Sequence, residues 1–592
     1  MYEYGLIGNC QIAALISRQA SIEWLCLPRP DSPPVFGKLL DPEGGEFTVE
    51  LEEQVSASQR YVHNTNILET TLTDKKGSSV RVIDFCPRFV QYGRMYRPHA
   101  LYRIVESVRG TPLLRTKCQP ITGWEKQKPH VVRGNSHVRY DFRGESLRLT
   151  TNMSLTYLLE GISVPVQDRI YFALTWGSAV EDDLKELSEK FHHNTLEYWR
   201  HWVQHCSMPT EYQRETIRSA LALKLHCYED TGAILASLTT SLPEEIGGER
   251  NWDYRLCWLR DSYFVLSAFH QLGHFEEMEG FLRYLTQLAL KVAPDDQHLK
   301  PVYSLDQRLP LPENILDNWA GYRGSKPVRF HNQAAEHIQN DVYGEMILTL
   351  SPIFFDERFD HLRTQETQNL LATLARLAAE SIHQPDAGLW ELRNGWQEHT
   401  FTNLMSWAGL ERMDRIKKLG YLQDFHFPFE EMLAKAEKSI RSAVVDGSLR
   451  NGPNDPTMDS SLLQLPLVRF RDDGLSRRTV QMVDEHLRYQ SNGKSHLGYL
   501  YRYARADDFG VPRSSFLICS YWFVQALAEV GEIKKAREVM AELQKAANSL
   551  GLLAEHFCPD QNIQSGNFPQ CYSHVGQILA AFAVSPPWKD IL

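Results

Sequence analysis

No C-x-x-C pair and no H-E-x-x-H occur in these 592 residues, which leaves out the usual zinc spacings. "NGKS" at 492–495 lacks the upstream glycine that a phosphate-cradling loop needs, and no G-x-S-x-G elbow offers an activated serine. The N-terminus, "MYEYGLIGNCQIAALISRQ", has neither a basic leading stretch nor an apolar run of signal-peptide length. No segment approaches the length of a membrane span. Positive charge is in deficit: 63 Lys and Arg against 74 Asp and Glu give −11, which argues against nucleic acid or an anionic membrane as partner. The ten cysteines are scattered, mostly in apolar runs such as "FLICSYW", so buried free thiols in a reducing cytoplasm are the expected state.

What is present is a globular balance, 43% hydrophobic and 23% charged, in a chain long enough for two or more domains. Aromatic residues are plentiful, with 13 Trp, 25 Tyr and 26 Phe. Core packing accounts for most of them. A surplus on loops is also what a sugar-binding cleft needs, since apolar pyranose faces stack on indoles.

The first third reads as β. "EFTVEL" alternates, with Phe47, Val49 and Leu51 on one face, and "SVRVIDF", "LYRIVESV", "HVRYDF", "LRLTTN" and "RIYFALTWG" follow at short spacing. Short strands without intervening helices predict an antiparallel sandwich over residues 1–178. The period then changes: "VEDDLKELSEKFHHNTLEYWRHWVQH" is a charged amphipathic helix, read as a linker over 179–209. From 210 to 592 the chain is nearly all helix, as in "GFLRYLTQLAL", "NLLATLARLAAE" and "IKKAREVMAELQKAAN", a pattern that suits an α/α barrel or a large helical array.

Three polar, aromatic-rich loops each join one helix to the next: "GGERNWDYRLCWLRD", "DAGLWELRNG" and "GLLAEHFCPDQNIQSGNFPQ". If helices alternate outer and inner around a barrel, all three lie at one rim, and Glu391, Glu555 and the Arg260–Asp261 pair converge. Two carboxyls in contrasting environments can split an acetal, one protonating the leaving oxygen and the other activating water. Glu391, beside Leu389 and Trp390, is expected to meet an apolar wall that keeps its proton, and so to be the acid. Glu555, with His556 as a cationic or hydrogen-bonding neighbour, is the expected base. Plainer readings exist for each. Either Glu could be a solvated surface charge, "WLRD" a helix start with Asp261 as N-cap, the Trp252, Tyr254 and Trp258 cluster simple core, and His574 a satisfied core histidine.

These motifs carry a resemblance. "IGNCQIAALISRQASIEWLCLPRPDSPPVFGKLLD", "GGERNWDYRLCWLRD", "HIQNDVYGE", "DAGLWELRNG" and "GNFPQCYSHVG" are similar, in order and from about residue 4 to residue 583, to the bacterial and archaeal glucoamylase- and trehalase-like branch of glycoside hydrolase family 15. The resemblance implies an N-terminal β-sandwich, a helical linker and a catalytic (α/α)₆ barrel. It also implies exo-acting, inverting hydrolysis of α-glucosidic bonds with release of β-glucose, without cofactor or metal. By motif, Glu391 corresponds to the general acid and Glu555 to the general base. Arg260 and Asp261 look like the pair that holds hydroxyls of the terminal glucose, and Trp258 and Trp390 like walls of that subsite. Tyr322, Arg323 and Asp341 are further substrate-binding candidates.

Two departures from the family pattern, Thr402–Asn403 after "LWELRNG" and Arg513–Ser514–Ser515 before "FLICSYW", are expected near the leaving-group subsite. The leading expectation is a glucoamylase-like exo-α-glucosidase acting on α-glucans or oligosaccharides. The alternative is an α,α-trehalase with the same two carboxylates, followed by a glycoside phosphorylase or a non-catalytic glucan-binding protein. Cytoplasmic location is expected; self-association is left open.

Overall fold

The computed structural model describes residues 1–142, 144–291 and 298–592. Besides a short two-stranded sheet, Phe89–Gln91 with Arg94–Tyr96, the early part of the chain forms two large antiparallel sheets. One runs, in spatial order, Tyr4–Gly8, Ala13–Ser17, Ser21–Cys26, Glu46–Leu51, Leu113–Gln119 and Val164–Pro165, with Pro34–Phe36 paired to the third strand. The other runs His130–Arg133, His137–Asp141, Ser146–Thr151, Ile170–Trp176, Ala100–Arg109, Ser79–Phe85, Leu68–Asp74 and Gln54–Tyr61. Period-two alternation puts Phe47, Val49 and Leu51 of the first sheet into one apolar cluster with Leu72, Val80 and Val82 of the second. All six strands expected from the alternating segments form.

The charged amphipathic segment is the helix Leu184–Gln204, started by Asp183, whose side chain accepts the Glu186 N–H. Its two ends serve different cores. Phe191 sits among Phe85, Phe89 and Tyr102 of the sheets, whereas Trp199 and Trp202 enter the core of the helical region. The boundary between the halves is therefore packed: Tyr2 and Trp24, from the first strands, also belong to the helical core.

Composition separates two kinds of helix beyond residue 210. Leu517–Glu529 and Cys571–Val584 are apolar nearly all round and almost wholly buried, as befits helices with neighbours on every side. Gln365–Glu380 and Ile533–Leu543 bury one stripe and show a polar face to solvent. The buried set packs in sequence. Leu259–Leu272 touches Asp341–Leu350, which touches Thr400–Lys418; the short segments over 460–467 lead to Leu517–Glu529, then Cys571–Val584, which returns to Leu259–Leu272. Among the described residues no helix is long and apolar enough to cross a membrane.

The β region braces the loops at the end of this helical ring. Trp24 Nε1 donates to Leu238 O at 2.8 Å and Tyr2 OH to Gly566 O at 3.1 Å. The buried Arg255 grips Asp253 through Nε and Nη2 and donates from Nη1 to Ser32 O at 2.7 Å. Two of the three aromatic-rich loops are thus held from the N-terminal side.

Candidate active site

Each of the three loops delivers its side chains through a different backbone device. Strand Cys257–Trp258 pairs with Val302–Tyr303 and runs directly into helix Leu259–Leu272, so Arg260 and Asp261 occupy the first helical turn. Trp258, in extended conformation, is the N-cap, and Asp261 is not. Glu391 closes a turn, its N–H on Gly388 O at 3.1 Å, and stands at φ 62°, in the left-handed region. Such a conformation is uncommon for a side chain of this kind and is tolerated where surrounding contacts enforce it. Here Arg260 Nη1 ties the turn down by donating to Leu389 O at 2.6 Å.

Glu555 lies on the third loop, as expected, at the edge of a small sheet. It leads into strand His556–Cys558, which pairs with both Ser515–Phe516 and Ile563–Ser565. Its carbonyl accepts from Leu517 N–H, and its N–H donates to Asn567 O, both at 3.1 Å. Gly566 stands behind it at φ 76°, and a Cβ there would lie 2.5 Å from Glu555 Oε2. That close approach requires glycine.

Glu391, Glu555, Arg260, Asp261, Trp258 and Trp390 line one narrow cavity of ≈ 40 Å³, which leaves space for more than one water at about 10–15 Å³ each. An adjoining chamber of ≈ 60 Å³ opens outward past Trp252, Arg393 and Phe509 and shares Tyr254, Trp390, Glu391 and Arg502 with the first. Six of the nine residues expected at the site are therefore brought together. The other three are not. Asp341 is fully buried outside the cavity lining, on helix Asp341–Leu350, and faces Arg260 only electrostatically. Tyr322 sits edge-on to Tyr2 with ring centroids 5.4 Å apart, and Arg323 is exposed beside it. Neither lines either chamber.

The two acids meet contrasting surroundings, but not those expected. Glu391, with its side chain 18% exposed, does not rest on an apolar wall. Its Oε1 accepts from Trp258 Nε1 at 2.6 Å and from Arg260 Nη1 at 3.0 Å. Among the described residues no hydrogen bond falls on Oε2. Trp390 turns its indole N–H away, onto Asp459 at 2.9 Å. Arg260 is itself held by Tyr572 OH at 2.5 Å and Asp261 Oδ1 at 3.0 Å.

Burial acts on Glu555 instead. Desolvation, reinforced by the nearby Glu244 carboxylate, pushes its pKa well above the ordinary range, opposed by Arg502, the Asn567 N–H and Tyr254. His556 is not the cation expected beside it: burial lowers its pKa to about 4. The positive charge is Arg502, which grips Glu244 through Nη1 and Nη2, each at 3.2 Å. The Glu244, Glu555 and His556 donor atoms lie within 4.8 Å of one another, a set that could hold a cation, but the Arg502 guanidinium already balances charge there. Asp261, also buried, is raised to about 6, with Arg260 opposing the shift.

Glu244, Arg502 and Tyr572 were missed by sequence reasoning. "LPEE" and "YLYRYA" carry no signal of their own, although Tyr572 lies inside the "CYSHVG" motif. The departures have structural explanations. Thr402 Oγ1 donates to Asp386 and Asn403 Nδ2 to Glu398, each at 3.0 Å, away from both chambers. Ser514 Oγ lies 3.0 Å from His556 Nδ1 and Ser515 Oγ donates to Phe557 O, so these serines fix the sheet under Glu555. His574 is a satisfied core histidine, between Ser219 Oγ and the Leu553 N–H. All ten cysteines are free thiols, eight of them buried.

Comparison with known proteins adds a second line of observation. Residues 211–582 match the model of glycosyl hydrolases family 15, and residues 2–107 match that of the trehalase-like N-terminal region. The chain is 33% identical to a trehalase of Mycolicibacterium smegmatis, across 98% of this chain and 91% of that protein. It is 29% identical to a trehalase of Thermoplasma volcanium, across 98% and 92%. A crystal structure of a bacterial glucoamylase complexed with acarbose superposes with a TM-score of 0.68 over 98% of this chain and 94% of that one, at 15% identity. The fold is thus glucoamylase-like, an antiparallel β-sheet region followed by a helical one.

Proposed function

The chain belongs to glycosyl hydrolases family 15 and is a glycoside hydrolase, and from that premise we propose that it hydrolyses α,α-trehalose to two glucoses with inversion. The observation that carries a two-carboxylate reaction is that Glu391 and Glu555, from distant parts of the chain, line one small cavity. The choice of trehalose, the alternative in the sequence reading, replaces the glucoamylase-type substrate expected first. The likeness to a glucoamylase is one of fold at 15% identity, whereas the relatives named trehalase align along 98% of the chain. We read the closed circuit of buried helices with amphipathic partners as an (α/α)₆ barrel whose loops carry the site at one rim.

In the proposed reaction Arg260 and Asp261 hold hydroxyls of the inner glucose through charge-assisted hydrogen bonds. Glu391 is the acid. With Oε1 occupied by two N–H donors, the proton resides on Oε2 and passes to the glycosidic oxygen as the C1–O bond breaks. Glu555 is the base: it takes a proton from a water whose oxygen attacks C1 from the opposite face, giving β-glucose from the inner sugar. Inversion calls for carboxyls about 6.5–9.5 Å apart so that this water fits between. Glu391 finishes ionised and Glu555 protonated, and exchange with solvent restores both.

The raised pKa of Glu555 makes it a strong proton acceptor once ionised. Glucose release from trehalose, maltose, maltotriose and isomaltose, with NMR of the first-formed anomer, tests the proposal. Preference for trehalose, with α- and β-glucose released together in equal amounts, is the expected result. Cleavage of maltose but not trehalose would return the chain to glucoamylase-type activity, initial release of α-glucose without β-glucose would exclude inversion, and a requirement for phosphate would make it a phosphorylase.

A further inference from the structure

The outer chamber contains a histidine that the mechanism leaves unused. His337, 4% exposed, lines it beside Glu391, Trp390 and Arg393. Neither Nδ1 nor Nε2 has a hydrogen-bond partner among the described residues. A buried polar group without a partner is costly, about 1–3 kcal/mol, and two on one ring call for an explanation. The ring is held edge-on by Trp396, with centroids 5.9 Å apart, and its backbone N–H is fixed on Ala334 O at 3.0 Å.

The charged groups around it are engaged elsewhere. Arg393 pairs with Glu313 at 2.9 Å and lies over the Trp252 ring. Arg250 pairs with Asp507 at 2.5 Å. Asp508 accepts the Arg393 backbone N–H at 2.7 Å. Burial lowers the His337 pKa, which favours the neutral imidazole, with one N–H donor and one acceptor nitrogen. Neighbouring sugar hydroxyls, each both donor and acceptor, complement that pair. A fixed carboxylate or ammonium would satisfy only half of it.

We propose that His337 is the residue that reads the leaving sugar, its two ring nitrogens hydrogen-bonding two hydroxyls of the second glucose while Glu391 protonates the bond between the rings. This rests on the reading that Glu391 stands at the scissile oxygen, with the inner chamber on one side and the outer on the other. His337 is then a specificity-determining residue. It acts on substrates that carry a second sugar and is indifferent to those that do not.

The test compares two substrates in the full-length protein. One is the α-linked diglucoside that the unsubstituted enzyme cleaves fastest, trehalose on our reading. The other is α-glucosyl fluoride, whose leaving group has no hydroxyls. His337→Phe keeps a ring against Trp396 and removes both nitrogens; His337→Asn keeps polar atoms nearest the backbone. The expected result is a fall in kcat/KM on the diglucoside of about 10–100-fold for His337→Phe, carried mainly by KM, with partial recovery in His337→Asn and little change on the fluoride. A loss on the diglucoside carried by kcat rather than KM would mean that His337 supports Glu391, equal losses on both substrates that it shapes the inner chamber, and no loss on either that the ring is structural; each overturns the proposal. Failure of the trehalase reading shows separately, in the substrate preference of the unsubstituted enzyme.

Discussion

Glu391 and Glu555 line the same cavity yet are built into the protein in opposite ways. Glu391 stands on a left-handed turn residue, its side chain 18% exposed, with two N–H donors on one oxygen. Glu555 is at the edge of a small sheet, its side chain 2% exposed, with a second carboxylate close by and an arginine shared between them. The first arrangement orients a carboxyl and leaves one oxygen available. The second starves a carboxyl of water and loads it with like charge. The difference teaches that neighbouring sequence is a poor guide to a carboxyl's environment: the indole next to Glu391 in the chain bonds elsewhere, and the histidine next to Glu555 is neutral.

The sharpest way to break this comparison is to neutralise each acid in turn. Glu391→Gln and Glu555→Gln are each expected to lower kcat on the natural diglucoside by about 10²–10⁴-fold. On α-glucosyl fluoride, whose departure needs no proton, Glu391→Gln should keep most of its activity and Glu555→Gln should not. Equal behaviour of the two variants on the fluoride would erase the assigned roles.

A smaller effect is expected from Gly566→Ala. The added Cβ meets Glu555 Oε2 at 2.5 Å and must adopt φ 76°, at a conformational cost of roughly 1–2 kcal/mol. Both kcat and the thermal midpoint should fall, while the corresponding change at Gly395, which has φ 67° but open space around it, should lower the midpoint without a comparable loss of kcat. Retention of full activity in Gly566→Ala would show that Glu555 is not positioned by that contact.

The smallest effect sharpens the electrostatic half. In Glu244→Gln a negative charge beside Glu555 disappears and Arg502 loses its charged partner. Both changes favour the Glu555 anion, so the limb of the kcat/KM profile that reports Glu555 should move to lower pH. Movement to higher pH, or none, would separate that limb from Glu555.

Much of the fold was readable because burial imposes periodicity. Phe47, Val49 and Leu51 alternate because one sheet face is covered. The stripe of Ile533–Leu543 is visible because its other face is wet. The hairpin around Glu555 was not legible. Its strands are only three residues long, and one of them pairs with Ser515–Phe516 across some forty residues of chain. Nor were Asp341, Tyr322 and Arg323 separable from true cavity residues, because a motif match does not tell a side chain that lines a cavity from one that supports it.

The sequence by itself determined which elements form and which two carboxyls carry the motifs. Only the tertiary structure decided what those carboxyls meet. Trp258 reaches Glu391 from 133 positions away, and Arg502 reaches Glu244 from 258. Charge–charge energies depend on separation through space and on how much water lies between. Neither quantity exists until distant segments have been folded against one another.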